Sequence, residues 1–437
     1  MKQILAQSGW TIFMSVVTAA ASFGISLVSA RTLGPEGRGG YVLALLIINT
    51  VSFVVNPGIY ASANYFASTK KIPLNRLIGM TLLLSGLASL VALPVATGAT
   101  IILGRTQTAV SPMMIGVIGL GAMAATVSIS LSGVLFGARQ AKVVSVWTIV
   151  SILLHLAAVL TTWVLEMTSL EWFVIFITAV HTLDVIAKFL LIQKFVLADV
   201  KIDWSDIKPI MQYGGSVYSG RVLMLLAQKV DTWLLFVLAG QTALGFYSIA
   251  TSFAEQLWMI PTAVSMVMMA NIGAKSNDEA AQMTVTASQT VLVLALPAAL
   301  ILGAGGVWLI PFLYGAEFTP SVLPFALMLP GILAVSSYLI LEPYFQSRGE
   351  PLIPVKITVG GAIANFALSL ILIPAYGLVG AGIAYSTSYF FQLGLTCIAF
   401  RRKSQQPFLS PVNISEVMGK GIERLRQLLQ QREAQTV

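Results

Sequence analysis

Residues 9–55 read GWTIFMSVVTAAASFGISLVSARTLGPEGRGGYVLALLIINTVSFVV. Two apolar runs flank one short polar turn, Arg31-Thr32-Leu33-Gly34-Pro35-Glu36-Gly37-Arg38-Gly39. Each run reaches the ~20 apolar residues that a helix needs to cross a bilayer. The turn carries the Gly and Pro that punctuate such a hairpin. Small residues crowd the first run (Ala19-Ala20-Ala21, Gly24, Ser26, Ser29), which lets neighbouring backbones approach closely. Val28-Ser29-Ala30 has the look of a signal-peptidase site. The run before it is longer than a secretory h-region, so it reads as a first spanning helix.

The same reading extends along the chain. Of 437 residues, 57% are hydrophobic and 10% charged, where a soluble domain is about 25% charged. The mean hydropathy is +0.86. This excludes a soluble enzyme and a disordered chain. Twelve spans are expected at 9–30, 40–66, 74–103, 111–136, 143–165, 170–195, 210–239, 244–270, 284–314, 320–346, 353–374 and 378–400. The fold class is an all-α polytopic membrane protein with no room for an extramembrane domain. Pro57, Pro94, Pro261, Pro297, Pro330 and Pro343 fall inside spans and predict kinks.

Charge sets orientation. Lys2, Lys70, Lys71, Arg76, Arg139, Lys142, Lys194, Lys201, Lys208, Lys275, Arg348, Lys356, Arg401, Arg402 and Lys403 sit at the N-terminus or after even-numbered spans. Only Arg31, Arg38 and Arg105 follow odd-numbered ones. The positive-inside rule then puts both termini in the cytoplasm. The net charge of +8 reports this bias rather than nucleic-acid binding. One cysteine, Cys397, cannot form an internal disulfide, and two histidines, His155 and His181, are too few for a histidine-rich metal site.

The chain repeats itself. Gly9, Gly34, Gly39 and Tyr41 recur as Gly215, Gly240, Gly245 and Tyr247 at an offset of 206. Phe136-Gly137-Ala138-Arg139 matches Phe345-Gln346-Ser347-Arg348 at 209. Two six-helix lobes, residues 1–203 and 204–401, should therefore run parallel, with a cavity between them. Residues 402–437 form a cytoplasmic tail. In it Asn413 and Glu416 make a capping box, ahead of the apolar stripe Val417, Ile422, Leu425, Leu429 and the bases Lys420, Arg424 and Arg426. Such a basic amphipathic helix suits an anionic membrane surface or a partner helix.

Three segments carry a family resemblance. They are the turn at residues 31–39; the stretch from Asp231 through Gly240, Gly245-Phe246-Tyr247-Ser248 and Glu255 to Pro261; and Gly349-Glu350-Pro351 followed by Asn365, Ile373-Pro374, Tyr376-Gly377 and Gly380-Ala381-Gly382. Together they resemble the polysaccharide transporter family of oligosaccharide flippases, within the multidrug/oligosaccharidyl-lipid/polysaccharide (MOP) superfamily. The resemblance implies a V-shaped, two-lobed bundle with alternating access and no catalysis. It implies a lipid-linked (polyprenyl-pyrophosphate) oligosaccharide as cargo, moved from the inner to the outer leaflet of the cell membrane. It implies membrane lipid, and a polysaccharide polymerase or other assembly proteins, as partners. The drug-exporter (MATE) branch shares the fold and stands as the alternative function. A membrane glycosyltransferase would need acids in a sizeable outer loop, and the short outer loops argue against it.

Charges inside spans are costly and mark function or structural pairs. Lys229 and Asp231 in span seven and Glu255 in span eight share a depth of about 15 Å below one end. They read either as an ion-pair cluster, Lys229 with Glu255, or as cavity groups meeting cargo or a coupling cation, H+ or Na+. Arg221 has no carboxylate one turn away. Its guanidinium suits a pyrophosphate, so it is the first candidate for the head group. Arg31 is a second such candidate, or an interfacial anchor. Asp184 and Lys188 have ion-pair spacing, and His181 with Asp184 could carry a proton. Glu342 precedes Pro343 and is a gating candidate.

Overall fold

The computed structural model describes residues 2–107, 111–195 and 200–406. The tail helix expected after residue 406 lies outside them. Every regular element among the described residues is helical: α1 (Lys2–Val54), α2 (Ile59–Thr69), α3 (Leu74–Gln107), α4 (Pro112–Gly137), α5 (Ala141–Val164), α6 (Leu170–Phe195), α7 (Ile207–Ala254), α8 (Met259–Ile272), α9 (Asn277–Tyr314), α10 (Val322–Ser347) and α11 (Leu352–Ser404).

Nine segments among the described residues are long and apolar enough to cross a membrane. Three hold a glycine whose backbone is not helical: Gly34 in α1, Gly240 in α7 and Gly377 in α11. Each divides its segment into two rods, so the nine become twelve. The turns at Gly34, Glu166, Gly240, Gly315 and Gly377 mark one end of the bundle, here the kink face. The residue 200–206 linker marks the other, the linker face.

Two expected spans are broken. Residues 40–66 were expected as one rod, but α1 stops at Val54 and α2 begins at Ile59. Pro57 has no N–H to continue the ladder, and Gly58 turns left-handed at φ 76°. Asn56 makes the break tolerable. Its Oδ1 accepts from the Ile59 amide at 3.0 Å, and its Nδ2 donates to Ser130 Oγ at 2.9 Å. Span eight tightens into a 3-10 turn at Glu255–Trp258, just before Pro261. Helix α9 starts about two turns earlier than expected, where Ser276 and Glu279 form a capping box.

The repeat is visible in the backbone. Gly34 has φ 66° and ψ −179°, and Gly240 has φ 91° and ψ −179°. Beyond these turns the two hairpins touch reciprocally. A Cβ on Gly39 would lie 1.9 Å from the Gln241 carbonyl oxygen, and one on Gly245 would lie 1.9 Å from that of Pro35. Gly39 maps to Gly245 and Pro35 to Gln241 by the same offset of 206, so the contact maps onto itself. That is a local two-fold relation between parallel repeats. Only glycine admits so close a backbone approach.

Side chains sort as a bilayer requires. Ile301, Trp308 and Phe312 on α9 are 73%, 74% and 74% exposed, a pattern suited to lipid rather than water. Inside, Tyr41, Ile47, Ile48 and Phe173 of the first half form one cluster with Phe236 and Leu244 of α7. Phe253, Tyr314, Phe318 and Phe325 form another, into which Ala30 of α1 reaches. The two halves therefore share core at the kink face.

Candidate functional site

Lys229, Asp231 and Glu255 line one cavity of about 280 Å³, with Glu342, Asn365 and Tyr338 also on its wall. All its lining residues come from the second half, contributed by α7, α10, α11 and the 3-10 turn. This polar cavity lies inside the second half and is not the one expected between the halves. The 3-10 turn aims Glu255 into it, because tightening at Glu255–Trp258 redirects the side chains that a regular helix would align.

The expected Lys229–Glu255 ion pair is not formed. No carboxylate lies within 4.0 Å of Lys229 among the described residues. Asp231 is taken by its own neighbours: Tyr247 donates to Oδ2 at 2.5 Å and the Thr232 amide to Oδ1 at 2.7 Å. Burial and a satisfied set of donors hold Asp231 as a fixed acceptor. Lys229 and Glu255 instead face the same open volume with opposite charge. Glu342 accepts from Gln346 at 2.8 Å. Asn365 accepts from Ser369 at 3.0 Å and donates to Ser388 at 3.3 Å. Trp258 Nε1, also on the wall, has no hydrogen-bond partner among the described residues. The cavity thus offers two carboxylates, one ammonium and spare donors, a set fit for a cation or a hydroxyl-rich ligand.

Arg221 lies elsewhere. It lines a second cavity of about 180 Å³ between the halves, with Phe53, Asn56, Tyr60 and Ile129 of the first half opposite Val217 and Tyr218 of α7. The break at residues 55–58 makes this space. Its loosened carbonyl at Val54 accepts from the Tyr218 hydroxyl. The Arg221 guanidinium stands over the Tyr60 ring at 5.2 Å. It is exposed, and no carboxylate reaches it among the described residues.

Arg31 has another use. Its Nε donates to the Leu313 carbonyl at 2.5 Å and its Nη2 to that of Phe312 at 2.5 Å. It caps the last turn of α9 from across the halves, which occupies these donors. Asp184 and Lys188 close an i,i+4 pair at 2.7 Å. Trp147 Nε1 donates to Asp184 Oδ1 at 2.5 Å, and the Ser128 hydroxyl to Oδ2. His181 makes no hydrogen bond to that cluster. The other histidine, His155, bonds Tyr41 through Nε2 at 2.6 Å.

Sequence reasoning passed over Arg38, which it counted among loop charges. Arg38 is 6% exposed, buried where the two halves meet. A usable signal was present: Ser26 and Ser29, three apart on the facing limb, are its acceptors.

The family model described as polysaccharide biosynthesis protein matches residues 4–272, and the one described as MatE matches residues 219–371. No curated protein matches. Among solved structures, the lipid II flippase MurJ in an inward closed conformation has a TM-score of 0.71 at 12% identity, covering 89% of this chain and 87% of that one. An inward-facing MATE multidrug resistance transporter of the MOP superfamily has 0.69 at 13%, covering 89% and 94%. A MOP superfamily transporter from Pyrococcus furiosus has 0.55 at 14%, covering 92% and 95%. At these identities the likeness shows the fold.

Proposed function

The chain belongs to the polysaccharide biosynthesis protein family, and from that membership we propose that it flips a lipid-linked oligosaccharide. The cargo is a sugar on a polyprenyl pyrophosphate, moved from the inner to the outer leaflet by alternating access of lobes 1–203 and 204–401. The linker face is cytoplasmic, because the Lys and Arg excess gathers there. The membrane is then the cell's inner membrane. A polymerase or other assembly proteins receive the product.

The observation that carries this reading is Arg221. A guanidinium with no acid beside it, in a cavity between the halves, keeps its charge for an anionic head group. The Tyr60 ring beneath it orients the planar group without neutralising it. Cargo binding then joins the two halves at one point, as alternating access requires. The test is flipping of a pyrophosphate-linked sugar in reconstituted vesicles. Arg221→Ala abolishes flipping with protein level intact. Arg221→Lys restores part of it, since Lys keeps the charge and loses the bidentate fork. Activity of the Ala variant equal to wild type excludes the role.

The MATE-type exporter is favoured by a different observation, the second-half cavity with Glu255 and Lys229 free on its wall. In the flippase reading this cavity holds a coupling cation or a proton. In the exporter reading it also takes the cargo. Cation-driven efflux of an organic cation, with no movement of a pyrophosphate lipid, would select the exporter.

A further inference from the structure

Among the described residues, Arg38 is the most confined charge that has no acid beside it. Its Nη1 donates to Ser29 Oγ at 2.5 Å, its Nη2 to Ser26 Oγ at 3.2 Å and its Nε to Ser248 Oγ at 3.2 Å. The first two serines belong to the first half and Ser248 to the second. Ser29 and Ser248 spend their own protons on the carbonyls of Ile25 and Gly245, so their lone pairs are left for the guanidinium. No carboxylate lies within 4.0 Å among the described residues. Each guanidinium nitrogen has an acceptor and the Tyr41 ring lies 5.7 Å away, but the charge has no counter-ion.

A cation buried without a counter-charge raises the energy of the state that buries it. That state is the closed kink face, sealed where Gly39 meets Gln241 and Gly245 meets Pro35. Parting the halves removes Ser248 from Arg38 and leaves Ser26 and Ser29 in place. The Nε–H then points into the gap with a full positive charge behind it. Hydroxyl acceptors give way to a phosphate oxygen, because phosphate brings the negative charge and the bidentate geometry that a serine hydroxyl lacks.

We propose that Arg38 is a second pyrophosphate-binding residue, hidden while the kink face is closed and offered to the head group when it opens. This rests on the flippase reading and deepens it: Arg221 serves the closed form and Arg38 the open one. The shared chemistry is a pyrophosphate anion, from the lipid head group or from solution.

The experiment props the junction open. A methyl group at Gly245 cannot coexist with the Pro35 carbonyl at its present position, so Gly245→Ala holds the halves apart. Gly39→Ala, its repeat mate, does the same if the first variant fails to fold. With Cys397→Ser as background, spin labels at Ser169→Cys and Thr319→Cys read the opening across the kink face. Binding of inorganic pyrophosphate and of geranyl pyrophosphate is then measured on the purified full chain. The propped variant binds about tenfold more tightly than the closed parent. Adding Arg38→Gln removes that gain, and adding Arg221→Ala leaves it. A gain with the geranyl compound identifies the lipid head group as the ligand. A gain confined to inorganic pyrophosphate identifies a solution anion. A gain that survives Arg38→Gln, the absence of any gain once the label distance has lengthened, or an unchanged distance in both glycine variants overturns the proposal. Failure of lipid flipping with the pyrophosphate gain intact would overturn the flippase reading and leave this one standing.

Discussion

Asp184 in the first half and Glu255 in the second are both carboxylates inside the apolar bundle, and the protein treats them in opposite ways. Asp184 is 9% exposed and fully engaged, with Lys188 at 2.7 Å, Trp147 at 2.5 Å and the Ser128 hydroxyl around it. Glu255 makes no hydrogen bond among the described residues and faces a cavity of about 280 Å³. The first is a closed network in which every partner would suffer if one were lost. The second is an acid left with free lone pairs at a helix irregularity. Charge inside a membrane is therefore read by its saturation as well as by its depth.

The contrast breaks most visibly at Asp184. Asp184→Ala strands the Lys188 ammonium, which also donates to Ser128 at 2.8 Å. Leaving a buried charge unpaired costs about 3–5 kcal/mol. Asp184→Ala should therefore lower the melting temperature sharply and reduce the folded yield. Adding Lys188→Met should recover most of the loss. Recovery by less than a third would show that the Trp147 and Ser128 bonds, rather than the charge, dominate.

Glu255→Gln is the matching change in the open cavity. It removes a charge that has no bonded partner, so stability should move by less than about 0.5 kcal/mol. Transport driven by an ion gradient should be lost, while gradient-independent exchange is kept. Melting temperature and transport, measured on the same preparation, check both halves of this statement. A destabilisation like that of Asp184→Ala would erase the contrast.

Much of this was legible in the sequence, for physical reasons. Apolar runs of spanning length gave the helical class. The 206-residue offset reached down to the backbone angles of Gly34 and Gly240. The shared depth of Lys229, Asp231 and Glu255 placed them on one cavity. The break at Asn56–Gly58 was less legible, because Pro57 alone predicts a kink and the cap by Asn56 depends on Ser130 of α4. Arg38 was hidden for a different reason. Its acceptors come from two other helical limbs, and only packing brings Ser248 to a guanidinium 210 residues away. The choice of partner for Asp231 was likewise tertiary. Lys229 is nearer in sequence, yet Tyr247 across the hairpin takes the carboxylate.

A double-mutant cycle sharpens the comparison within the cavity. Lys229→Met and Glu255→Gln should couple by less than about 0.5 kcal/mol, since their groups share a wall without an ion pair. The same cycle on Asp184 and Lys188 should give at least about 1.5 kcal/mol. Thermal melts of the four single and two double variants decide it. A Lys229–Glu255 coupling as large as that of Asp184–Lys188 would mean that the two close into a pair in another conformation.

The smallest effect belongs to the half-buried counterpart of these pairs, at the edge of the bundle. On the linker face Arg76 holds Asp206 through two bonds of 2.8 Å and Asp203 at 2.9 Å, pinning the connector between the halves to α3. Solvent screens this cluster, so Arg76→Ala should shift the melting temperature only slightly, and less at high salt. Its pH dependence has a definite sign. Hydrogen bonds from the Ser205 hydroxyl and amide, with Arg76 alongside, hold the Asp203 carboxyl below its ordinary value. A depressed carboxyl adds stability above the unfolded-state value, about 3.9, and that stability fades as the pH falls through the lower folded value. Ser205 is the main cause, so Asp203→Asn should flatten the acid limb of stability more than Arg76→Ala does. Melts at about pH 7 and about pH 3 compare the two. If Arg76→Ala flattens the limb more, the ion pair, not the serine, sets the charge state of the linker.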